Sequence, residues 1–129
     1  MKAFLTVSLI LLMTVSVVYA RDYEVTKKAG DLNVVIRIDK NPPVAGTNNV
    51  EIGITDASGK AITGAKVVLA YSMPAMTGMP AMSYKVDAVP VGNLYKARVN
   101  YSMSGSWNND VRITHGGRTV SARFTIDAR

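Results

Sequence analysis

The chain has 129 residues, with 15 Lys and Arg against 9 Asp and Glu, 7 Met and no Cys. That length fits one domain of ordinary size. The missing cysteine excludes disulfides, zinc–cysteine sites, iron–sulfur clusters and thiol catalysis, and a hydrophobic share of 48% with 19% charged residues excludes disorder as the main state.

Met1-Lys2 is a short positive start, and Ala3 to Val18 is almost wholly apolar. Val18-Tyr19-Ala20 then places small residues at the two positions a signal peptidase reads, before polar Arg21-Asp22. This predicts a cleavable secretory signal peptide over residues 1–20 and an exported, periplasmic or similar, domain over 21–129. An uncleaved membrane anchor is the alternative, since the apolar run is near the minimum that spans a bilayer. Removing residues 1–20 takes Lys2, Met1 and Met13, which lowers the formal charge from +6 to +5 and leaves five Met. An exported domain without cysteine must rest on its core alone, which about 100 residues can supply.

The remaining chain reads as strands of period two. After a short candidate at Tyr23 to Lys28, Leu32, Val34, Ile36 and Ile38 alternate with polar or outward residues, and so do Val50, Ile52 and Ile54. Val67, Leu69, Tyr71 and Met73 form another apolar face, followed by Tyr84, Val86 and Ala88. Tyr95, Ala97, Val99 and Tyr101 continue the pattern, then a short candidate at Asp110 to Thr114, then Val120, Ala122, Phe124 and Ile126. Such alternation marks half-buried strands. Turn chemistry separates them at Asn41-Pro42-Pro43, Ala57-Ser58-Gly59-Lys60, Pro90-Val91-Gly92-Asn93 and His115-Gly116-Gly117-Arg118. The expected fold is all-β: an antiparallel, immunoglobulin-like β-sandwich of about seven or eight strands with Greek-key links, a small closed barrel being the alternative.

One segment breaks the pattern. Met73-Pro74-Ala75-Met76-Thr77-Gly78-Met79-Pro80-Ala81-Met82 carries Met-Pro-Ala-Met twice, with four Met at intervals of three. Two prolines and a glycine forbid a stable helix. Polyproline II, at three residues per turn, would project all four thioethers from one side. Successive Met would then lie roughly 9 Å apart, too far to share a metal, so a site needs the loop to fold back. Thr77-Gly78 is the natural bend, bringing Met76 towards Met79. Three uses compete. Thioethers are soft, neutral ligands that select Cu(I) over zinc or magnesium. Methionine also plugs irregular gaps in a core, and it makes adaptable surfaces for protein partners.

If successive strands alternate in direction, the segment Ser102-Met103-Ser104-Gly105-Ser106-Trp107 falls at the same end as the Met segment. Met103 could then join Met73, Met76, Met79 and Met82 as a metal ligand. Trp107 could supply cation–π attraction to the bound ion, or it could be a buried core aromatic. His115 falls at the opposite end and reads as an exposed turn residue.

Lysine and arginine are scattered over outward strand positions and turns, with no basic run, so a nucleic-acid surface is not expected. The chain has no G-x-S-x-G elbow, no H-E-x-x-H and no phosphate-cradling loop, and its acids never pair. An enzyme is not expected, and no small-molecule substrate is evident, because an activated nucleophile needs a positioned partner.

The Met73 to Met82 segment, Val91-Gly92-Asn93-Leu94-Tyr95-Lys96-Ala97-Arg98-Val99, Met103-Ser104-Gly105-Ser106-Trp107 and the closing Phe124-Thr125-Ile126 together resemble the YtkA-like domain family, which overlaps with FixH-type proteins. The resemblance covers roughly residues 30 to 127. It implies a small exported immunoglobulin-like domain, similar in architecture to CopC-type copper proteins, with a link to copper or heavy-metal handling or to oxidase assembly. The expectation is therefore a monomeric exported sandwich that binds or carries Cu(I) through thioethers. The competing expectation is a docking module that meets a membrane-protein or metal-transport partner through the same apolar end.

Overall fold

A computed structural model describes residues 23–129. The leader expected over residues 1–20 lies outside the described residues. Nine strands form: β1 (Tyr23–Ala29), β2 (Leu32–Ile38), β3 (Gly46–Thr55), β4 (Lys66–Met73), β5 (Met82–Asp87), β6 (Val89–Val91), β7 (Leu94–Tyr101), β8 (Gly105–His115) and β9 (Arg118–Ala128). They make two antiparallel sheets, one in the order β1-β2-β3-β7-β6 and the other β5-β4-β8-β9. The all-β sandwich expected from the alternation is the fold that forms. β3 lies beside β7, and β4 beside β8, through crossovers between the sheets.

The core is the set of inward faces that the period of two selects. Val34, Ile36 and Ile38 of β2, Val50, Ile52 and Ile54 of β3, and Tyr95, Val99 and Tyr101 of β7 are buried on one side. Val67, Leu69 and Tyr71 of β4, Val111 and Ile113 of β8, and Phe124 and Ile126 of β9 are buried on the other. Burying each such side chain is worth about 1.5–3 kcal/mol relative to exposure, and strand alternation aligns them without any cross-link.

The extra strand and the longer β8 are departures from the sequence reading. Val89–Val91, read as part of a turn, pairs with β7 as an edge strand. The chain passes from one sheet to the other between Asp87 and Val89, where the Ala88 amide donates to the Val67 carbonyl at 2.9 Å. Pro90 is tolerated there because an edge strand needs only one row of hydrogen bonds. β8 begins at Gly105 rather than Asp110. Its first half is rich in Ser, Asn and Asp, residues that disfavour strands, and the inward Asn109 explains how it persists. Asn109 is fully buried. It accepts from the Tyr101 hydroxyl at 2.7 Å and donates to the Trp107 carbonyl at 3.1 Å. Burial pushes the Tyr101 phenol well above its ordinary range, despite the Asn109 bond, so it remains a protonated donor.

Candidate functional site

β4 and β5 form the hairpin that carries the Met segment. Regular pairing runs from Val68↔Asp87 to Met73↔Met82 and stops there. The prolines at 74 and 80 have no N–H to continue the ladder. The chain closes again at the tip, where the Met76 amide donates to the Met79 carbonyl at 3.0 Å and the Met79 amide returns a bond to the Met76 carbonyl at 2.8 Å. Thr77-Gly78 is thus a two-residue turn, with Gly78 at φ +80° in the left-handed region that a type II turn requires at that place. The loop folds back at the expected bend. Polyproline II would leave these amides to water, whereas the turn pairs them.

Folding back separates the methionines into two groups. Met73 continues the inward face of β4 and is 3% exposed. A Cβ on Gly105 would lie only 3.0 Å from Met73 Cε, so the thioether is packed against the start of β8. Met76 and Met79 are 50% and 38% exposed, the most open methionines among the described residues. Met82 is half-buried, and its sulfur accepts a bond from the Ser102 hydroxyl at 3.4 Å. Met103 is half-buried too, with its carbonyl held by Trp107 Nε1 at 3.0 Å. The β7–β8 loop therefore does sit beside the Met hairpin, as the strand directions require, and His115 stands at the far end of β8.

Trp107 is fully buried. Its ring packs against Tyr101 and Tyr71, with centroids 5.4 and 6.0 Å away, and against Tyr84 at 6.2 Å. Tyr71 stacks on Tyr84 at 5.4 Å, and its hydroxyl accepts from the Asn100 amide at 3.2 Å, tying the two sheets together. A ring enclosed in this way has no free face for an ion, and its indole N–H steadies the Met103 loop. The three tyrosines were not singled out by the sequence reading. Their inward parity was the available signal, because Tyr71, Tyr84, Tyr101 and Trp107 share the positions that alternation points towards the core.

Met76 and Met79 exchange both backbone bonds, which makes them a closely spaced antiparallel pair with Cα atoms about 5.5 Å apart and side chains on the same face. Two sulfurs bound linearly to one soft ion at roughly 2.3 Å each would be about 4.6 Å apart. Two unbranched three-torsion side chains on such a pair can meet that span. No charged residue occurs from Val67 to Tyr84 or from Tyr101 to Asn109. The tip thus offers sulfur with no carboxylate nearby in sequence to attract a hard cation. No group of three or more His, Cys, Asp or Glu side chains poised for a metal occurs among the described residues.

A model of the YtkA-like family matches residues 26–112. The chain belongs to the YtkA-like family. The matched region of this YtkA-like domain runs from β1 into β8 and contains the whole Met hairpin. No curated protein and no solved structure gave a significant match.

A depression of about 610 Å³ lies on the four-stranded sheet of the YtkA-like domain, partly over the strands of the β4–β5 hairpin. Ala70, Ser72, Ser83, Lys85, Arg112 and Arg123 are among the residues that line it. Arg123 stands 3.7 Å from Asp110. The lining of the depression mixes hydroxyl, amide and charged groups with Tyr71 and Tyr84 and includes no sulfur, so it is separate from the Thr77-Gly78 tip.

Proposed function

We propose that this YtkA-like domain is an exported carrier of a soft monovalent metal, Cu(I), held by the thioethers of Met76 and Met79. The observation that carries the reading is their pairing across the Thr77-Gly78 turn, both exposed and on one face. Met82 and Met103 are the nearest reserves of sulfur on the adjoining strand and loop. Met73 serves the core, and so the plug and ligand uses of methionine are divided among the residues of one segment. Neutral thioethers need lose no proton to bind a metal, unlike thiols and imidazolium, so loading and release can occur at constant pH. The absence of thiols suits an oxidising compartment, where cysteine ligands would cross-link.

The test is an anaerobic titration of the purified protein against a chromophoric Cu(I) chelator. The double variant Met76→Leu, Met79→Leu keeps the bulk of both side chains and removes both sulfurs. The wild-type protein is expected to draw copper from the chelator at least tenfold more strongly than the double variant, the ~1.4 kcal/mol equivalent. Equal competition by the two would reject the reading.

A second reading has its own observation. Met76, Met79 and Tyr84 are exposed apolar groups on the same hairpin, which suits docking to a membrane-protein or metal-transport partner. Leucine at positions 76 and 79 would preserve that docking while abolishing metal uptake, which separates the two.

A further inference from the structure

We propose that the hairpin tip is half of a metal site, and that two copies of this chain, meeting tip to tip, hold one Cu(I) among four thioethers. The inference rests on the Met hairpin being a soft-metal site and concerns how that site is completed. A single tip supplies two exposed methionines, Met76 and Met79. Met73 is sealed in the core against Gly105. Met82 is half-buried and already accepts a hydrogen bond from Ser102. Met103 is half-buried on a loop anchored by Trp107. An ion held by Met76 and Met79 alone has its outer side open to water, a hard ligand poorly matched to a soft cation.

The tip is built to let a second copy fill that side. Thr77 and Gly78 are small, and no heavy atom beyond Gly78 and its two chain neighbours lies within 4 Å of where a Gly78 Cβ would be. The positive charge of the whole chain does not oppose the approach locally, because the stretches Val67–Tyr84 and Tyr101–Asn109 are free of charged residues. The contact would be isologous, with Met76 and Met79 of each copy facing the same pair on the other, which closes the assembly at two. Without metal the small uncharged tips bury too little surface to hold together, so the chain alone is a monomer.

Sedimentation velocity of the purified protein under anaerobic conditions, with Cu(I) added as its acetonitrile complex, tests this. The expected result is a monomer without metal and a doubled mass on loading, saturating at one copper per two chains. The Met76→Leu, Met79→Leu variant should remain monomeric throughout. Thr77→Lys keeps all the sulfur and sets like charges against each other at the contact. It should weaken pairing by roughly five- to tenfold, the effect of unit charges about 4 Å apart in water. A monomer that saturates at one copper per chain would overturn the shared site and leave the hairpin as a metal site. Pairing that persists in the double leucine variant would overturn it as well. No copper uptake by the wild type would remove the shared site and the metal reading together.

Discussion

Met73 is the last residue of β4, and Pro74 and Ala75 lie outside the ladder, so the period of two fixes the direction of Met73 and not that of Met76. Met73 takes the inward position after Val67, Leu69 and Tyr71 and fills space beside Gly105. Met73→Leu, a swap of similar volume, should cost less than about 1.5 kcal/mol, whereas Met73→Ala should cost about 2–5 kcal/mol by urea denaturation. The leucine variant should leave Cu(I) affinity unchanged, because this sulfur faces the core. Asp56 shows a second residue-scale effect, far from the methionines. Its Oδ1 accepts from the Ser58 hydroxyl at 2.6 Å, the Ser58 amide at 2.9 Å and the Lys60 amide at 3.0 Å. The Ser58 hydroxyl bond, then the Lys60 amide bond, hold its carboxyl below the ordinary value of 3.8. A carboxyl lowered in the folded state adds stability that is present above its unfolded value and lost as pH falls through the folded one. Asp56→Asn should therefore lower the urea midpoint at pH 7, and the gap from wild type should close as the pH drops below about 3.8.

At the scale of the element, the Met hairpin depends on one backbone conformation. Gly78 has φ +80°, which costs an L-residue roughly 1–2 kcal/mol. Gly78→Ala should open the turn, loosen the Met76–Met79 pairing and lower Cu(I) affinity, while the sandwich unfolds at nearly the wild-type urea concentration. Thr77-Gly78 was legible in the sequence as the bend, since no other residues between the two Met-Pro-Ala-Met repeats could reverse the chain. The strands at Leu32–Ile38, Lys66–Met73 and Leu94–Tyr101 were legible because their inward residues are apolar and their neighbours mostly are not. Gly105–Asp110 was hidden. Its Ser, Asn and Asp side chains imitate a loop, and the tertiary partners Tyr101 and Asp127, which no local pattern reveals, bond Asn109 and Ser106. Val89–Val91 was hidden for a different reason, being three residues around a proline at a sheet edge. Met73 carried two signals at once, a period of two with its strand and a period of three with its repeat. The strand period decides where it points.

Across the whole molecule, chemistry divides along the axis of the sandwich. The Met hairpin and the Met103 loop share one end, and His115 stands at the other, beside Asp31 and Arg118. The scattered cations of the outer faces leave the Met-bearing segments uncharged. A metal loaded at the hairpin therefore has sulfur near it and no imidazole. X-ray absorption at the copper edge of the Cu(I)-loaded protein reads that neighbourhood directly. The account predicts a first shell dominated by sulfur at about 2.3 Å and no outer-shell scattering from an imidazole ring, with the sulfur signal lost in the Met76→Leu, Met79→Leu variant. A shell of nitrogen or oxygen, or a sulfur shell unchanged in that variant, would contradict it.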